Sequence, residues 1–145
     1  MTLFHAALGV ATLALTVAAA ALGSWRWWRV EASPLFWRLL RAAQVALVVE
    51  AATGGVLLAL GERPGRGLHY VYGLVPLGVS FLAEQLRIGS AETVLEARGL
   101  EGAESVRALP ADQQRSVVLQ IVRREIGVMA LAAVVMVGLE LRAIL

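Results

Sequence analysis

His5 and His69 are the side chains of this chain best suited to hold a metal or a cofactor. Each opens a hydrophobic span, and each has a glycine four residues further on, Gly9 and Gly73. In a helix, positions i and i+4 share a face, one turn apart. Each helix therefore offers an imidazole with a gap one turn deeper, the arrangement that a planar cofactor between two helices requires. The other candidate for chemistry is Glu50, an acid in the middle of an apolar run. A charged residue at the bilayer centre costs roughly 2.5–3.5 kcal/mol on insertion scales, so it reads as hydrogen-bonded or as part of a proton relay or cation site.

The elements that position these groups follow from composition. The chain has 145 residues, of which 59% are hydrophobic, with a mean hydropathy of +0.72. Soluble domains hold about 45–50% apolar residues. Four stretches reach the roughly 20 residues needed to cross a bilayer core: Leu3–Gly23, Leu39–Leu60, Leu68–Leu86 and Ile126–Leu145. With no water there to satisfy the backbone, each span must be a helix. The expected fold is all-α: one integral membrane domain, residues 1–145, built as an antiparallel four-helix bundle. The first span lacks a basic leading segment and is too long for a secretory signal, so it reads as a transmembrane helix.

All 13 basic residues are arginines. Ten lie in the first loop, the start of the second span and the third connection (87–125), against Arg63, Arg66 and Arg142 on the other side. This positive-inside bias predicts both termini outside and the 87–125 connection in the cytoplasm. The net charge of +2 carries no sign of nucleic acid, because the arginines are topology signals. Trp25, Trp27, Trp28 and Trp37 cluster at the first loop as an inner aromatic belt, with Phe4, Tyr70 and Tyr72 marking the outer one. Ser33-Pro34 reads as N-cap and first residue of the second helix. The Gly61–Gly67 segment reads as a tight outer turn. In the connection, Ser90 is placed to cap a short helix through Arg98, broken by Gly99 and Gly102. Pro110 is placed to open a long amphipathic helix continuous with the last span.

Helical phase groups His5, Gly9, Thr12 and Thr16 on one face of the first helix, and His69, Gly73, Pro76, Ser80 and Arg87 on one face of the third. Lipid disfavours polar groups, so both stripes should face the interior. The structural reading of Glu50 is a hydrogen bond to Gln44, a threonine or a neighbouring helix, and Ala51-x3-Gly55-x3-Ala59 is a small-residue ridge for close packing. Glu84 and Glu140 read as helix-end acids that snorkel or pair, Glu84 with Arg87.

Neutral imidazole is a good axial ligand for haem iron. In that reading His5 and His69 hold the iron of haem b, Gly9 and Gly73 give the ring room, Arg63 and Arg66 pair with the propionates, and Tyr72 or Tyr70 borders the ring. A copper or zinc site is left incomplete by two histidines and no cysteine. Histidines without any ligand are the remaining reading.

Gln44-x9-Gly54-Gly55, then a turn, then Leu68-His69-Tyr70-Val71-Tyr72-Gly73 resembles a four-helix half of the heme A synthase family, over about Gln44–Gly78. The resemblance implies a haem b pocket of paired histidines near the outer face, with His69 as the better matched ligand. The family's Glu-x-x-x-His-Arg pattern is absent: Tyr70 follows His69, and no Glu lies four residues before it. Haem A synthesis is therefore not implied.

Three functions follow as expectations. One is a small haem b protein of the bacterial inner membrane for electron transfer or haem handling. The second is a non-catalytic accessory or assembly subunit, with other membrane-complex subunits or further copies of itself as partners besides the lipid bilayer. The third is a small proton-coupled carrier using Glu50. No phosphate loop, dinucleotide fingerprint or nucleophile elbow is present, so no soluble-enzyme chemistry is indicated.

Overall fold

The computed structural model describes residues 2–63 and 67–144. Among these it is all-helical: α1 (Thr2–Arg29), α2 (Pro34–Ala59), α3 (Leu68–Ile88), α4 (Ser90–Glu96), α5 (Ala103–Arg107) and α6 (Ala111–Ile144). Three of them, α1, α2 and α6, are long and apolar enough to cross a membrane. Of the four spans expected to cross, three thus have the length and apolar character to do so. In α3 the run is diluted by His69, two tyrosines, Pro76, Ser80, Glu84, Gln85 and Arg87.

Boundaries moved where local signals were weak. Helix α1 runs past Gly23 through all three of its tryptophans to Arg29, because the following residues keep helical backbone bonds. It stops where Glu31 N–H bonds the Arg26 carbonyl at 3.1 Å and Val30 N–H bonds that of Trp27 at 3.2 Å. This is a left-handed C-terminal stop, and Val30 occupies it at φ 52°, although it is β-branched. Helix α2 begins where the sequence indicated: the Ser33 side chain accepts a bond from Phe36 N–H at 3.2 Å, and Pro34 follows it. Ser90 behaves differently from its expected role. Gly89 precedes α4, and the Ser90 hydroxyl donates backward to the Leu86 carbonyl at 3.0 Å. Gly99 and Gly102, at φ 65° and 109°, do separate α4 from α5. Helix α6 is the long continuous helix expected after Pro110.

The packing is led by α1 against α2 and α6, and by α3 against α6. Register is set where glycines admit bulky neighbours. A Cβ at Gly23 would lie 2.5 Å from the Phe36 ring and 3.1 Å from Ala130, and one at Gly127 would lie 2.6 Å from the Trp27 indole nitrogen. Gly23 therefore fixes α2 against α1, and Gly127 fixes α1 against α6. Around these contacts Ala19, Phe36, Leu40, Ile126, Met129 and Ala133 form the buried core. The tryptophans consequently divide. Trp25 and Trp28 stay exposed, while Trp27 and Trp37 pack inward.

Helices α2 and α3 touch more sparsely. A polar cluster joins them at one end. Gln44 donates to Ser80 at 2.9 Å and to Glu84 at 3.1 Å, and Arg41 binds the Glu84 carboxylate. Arg87 adds a bond to Glu84 at 2.9 Å, the pairing that helical spacing foretold. Toward their other end the two helices line a common cavity.

Candidate functional site

That cavity, of about 270 Å3, is bordered by His5 from α1, Glu50, Gly54 and Gly55 from α2, His69 and Gly73 from α3, and Ala143 from α6. Small-molecule sites occupy about 300–1,000 Å3, so it lies just below that range. Its lining is mainly apolar, with a few polar groups converging, as ligand pockets require.

The two imidazoles meet here. Their ring centres are 6.1 Å apart with planes at 72°. Each is held from a different side. A Cβ at Gly54 would lie 3.2 Å from His5 Cε1, so the absence of a side chain there lets the His5 ring rest against α2. His69 Nδ1 lies 3.1 Å from the Ala143 carbonyl. A carbonyl only accepts, so Nδ1 carries the hydrogen, and in the neutral ring Nε2 keeps its lone pair. Metal-binding histidines are commonly oriented through their other ring nitrogen in this way. His5 Nδ1 is buried with no hydrogen-bond partner. A buried nitrogen left in this state costs about 1–3 kcal/mol.

The remaining residues singled out in the sequence divide into two groups. Gly73 borders the cavity, and nothing lies within 4 Å of a Cβ placed there. Arg63 and Tyr70 also border it, with Glu62 beside Arg63. Arg66 lies outside the described residues. Gly9 does not face the histidine cavity: a Cβ there would lie 2.8 Å from Glu50 Oε1, so the room it leaves is taken by that carboxylate. Tyr72 borders a separate small hollow together with Gly9, Glu50 and Glu140. Gln44, one of the partners expected for Glu50, is engaged by Ser80 and Glu84 instead.

Two contributors escaped sequence reasoning. The Ala143 carbonyl carries no side-chain signal at all. Glu140, expected near a helix end, is buried at 6% exposure, and its Oε1 lies 3.0 Å from the Thr16 hydroxyl. Spacing alone could have found it, since Ile126, Met129, Ala133, Met136 and Glu140 recur along one helical face. Glu140 does lie near the end of α6, but instead of snorkelling it is buried against Thr16, in the middle of the apolar run of α1.

Among the described residues, no group of three or more His, Asp or Glu side chains could hold a metal ion. Two imidazoles leave a bare copper or zinc ion short of ligands, whereas a macrocycle brings four nitrogens of its own and needs only axial donors. Two imidazoles from different helices, with ring centres 6.1 Å apart, are the donor atoms the chain brings to this cavity. Compared with models of known families, with curated proteins and with solved structures, the chain matches none.

Proposed function

We propose that this chain is a small multi-pass protein of the bacterial inner membrane that holds one haem b between His5 and His69, for electron transfer or haem handling. In this reading α3 crosses the bilayer beside α1, α2 and α6. The four form an antiparallel bundle with both termini outside, as the arginine distribution favours. The polar residues of α3 then face the interior, which accounts for its lower hydropathy.

The observation that carries the reading is the 6.1 Å approach of two imidazoles from different helices across one cavity. Bound haem would supply one-electron chemistry at iron. The chain's own residues hold and orient it. His69 is aimed by the Ala143 carbonyl, and the carbonyl also favours the tautomer with a free Nε2. His5 is set by the gap at Gly54. Gly55 and Gly73, each with open space at a Cβ position, leave the cavity flanks clear for a flat ring. Arg63 stands at the rim as a cation for a propionate. The similarity of residues 44–78 to a half of the heme A synthase family supports the same pocket without supporting that family's reaction.

An optical spectrum of the purified chain, produced with haem supplied, tests this. An intense Soret band that shifts on reduction is expected. A spectrum flat in that region removes the proposal.

A further inference from the structure

Glu140 shares the Thr16 hydroxyl with a main-chain carbonyl. The Thr16 hydroxyl lies 2.9 Å from the Thr12 carbonyl and 3.0 Å from Glu140 Oε1. A hydroxyl has a single hydrogen. If Thr16 gives it to the carbonyl, as the chain of back-bonds from Thr12 to Leu8 suggests, it has only lone pairs left for Glu140. The pair is then complete when Glu140 is a carboxylic acid whose O–H donates to Thr16. Its second oxygen, Oε2, is buried without a partner.

The Glu140 side chain borders a hollow of about 20 Å3 shared with Gly9, Glu50, Tyr72 and Gly73. A single water needs about 10–15 Å3 of such space and two to four polar partners. Glu50, whose carboxylate enters through the gap at Gly9, borders both this hollow and the histidine cavity. The titratable groups that border this hollow with Glu140 are Glu50 from α2 and Tyr72 from α3; His5 and His69 border the neighbouring cavity, which Glu50 also lines. No arginine borders the smaller hollow among the described residues.

We propose that Glu140 is a proton-storing site inside the bundle, exchanging its proton with Glu50 through one water in this hollow. The proton's path balances without any other reactant. The carboxyl turns its O–H toward the hollow and that bond breaks, giving the proton to the water. The water passes one of its own protons to the Glu50 carboxylate, where a new O–H forms. Glu140 is left as a carboxylate that accepts from Thr16. The proposal does not rest on haem, and it gives the interior acids a role whether or not the histidines hold iron.

The test is infrared difference spectroscopy of the full chain in lipid vesicles, without added haem, across neutral pH and with exchange into deuterium oxide. A protonated-carboxyl C=O band is expected that shifts in deuterium oxide, is lost in Glu140→Gln and survives in Glu101→Gln, an exposed acid of the connection. Glu50→Gln is expected to slow the deuterium shift at least several-fold. A band that persists in Glu140→Gln, or no such band in the parent chain, overturns the assignment. An unchanged exchange rate in Glu50→Gln overturns the route. Should Glu140→Gln fail to fold, Thr16→Val reads the same proton: loss of the acceptor shifts the band to higher frequency, and an unchanged band overturns the proposal. Loss of the Soret band with these infrared features intact would remove the haem reading alone.

Discussion

The His69 imidazole is held by a main-chain group of α6: its Nδ1 donates to the Ala143 carbonyl at 3.1 Å. The carbonyl is available because it lies in the last turn of α6, where helix carbonyls lack partners within their own helix. An end-of-helix vacancy on one element thereby orients a donor on another. The same helix end closes one side of the cavity shared with His5.

The two histidines are expected to differ in their effects. With haem supplied, His69→Ala should lose most bound haem, since it removes the oriented donor. His5→Ala should retain haem in part with one axial position vacant, which electron paramagnetic resonance reads as a change from low to high spin. Unchanged low-spin signals in both variants would place the ligands elsewhere.

Adjacent glycines of α2 offer a contrast in which helix propensity is held constant. Gly54→Ala puts a methyl 3.2 Å from His5 Cε1, so the ring must move by a few tenths of an ångström. Gly55→Ala meets nothing within 4 Å. Replacing glycine by alanine inside a helix favours folding by roughly 0.5–1 kcal/mol where space allows. Gly55→Ala should gain that stability in the haem-free chain, whereas Gly54→Ala, which displaces the His5 ring, should gain less and should perturb the haem spectrum. Titration of haem against both variants, with thermal unfolding alongside, checks the pair.

Glu84 joins α2 to α3 through Arg41, Gln44 and Arg87. Removing it with Glu84→Ala strands the half-buried Arg87, while Arg41 keeps its bond to Gln44 and Gln44 its bond to Ser80. Leaving buried partners unsatisfied costs about 1–3 kcal/mol. Unfolding of the purified chain in mixed micelles should show a loss of that size. A loss below a few tenths would mean that α2 and α3 are held by other contacts.

Val30 sits at φ 52°, in the left-handed region where a β-branched residue is strained. The left-handed helix conformation costs an L-residue roughly 1–2 kcal/mol relative to the right-handed one. Val30→Gly keeps the backbone stop of α1 and relieves that strain, offset in part by the larger freedom of glycine in the unfolded chain. The expected outcome is a net gain of up to about 1 kcal/mol in the same unfolding measurement.

Much of this structure is legible one helix at a time. Ser33-Pro34 marks the start of α2, Gly99 and Gly102 mark the breaks in the connection, and Glu84 with Arg87 is a pair of one helical surface. His5 and His69 are singled out by residue type and by their places at the heads of apolar runs. All of these depend on neighbours within about four residues, whose spatial relation is fixed once the segment is helical. The relation between helices is different. Helical phase tells which way a side chain points, but not which residue of another helix lies at its level.

That level was decided by tertiary packing at close contacts: Gly23 against Phe36, Gly127 against Trp27, Gly54 against His5. The resulting slide brought Glu50 rather than a cofactor to Gly9, buried Glu140 near the end of α6 against Thr16, and gave His69 a main-chain acceptor that no side chain announces. The sequence by itself determined the helices, their apolar faces and the chemistry available on each. Only the three-dimensional packing decided which groups meet, because axial register depends on steric fit between surfaces far apart in the chain, and a periodic pattern is unchanged when one helix slides along another.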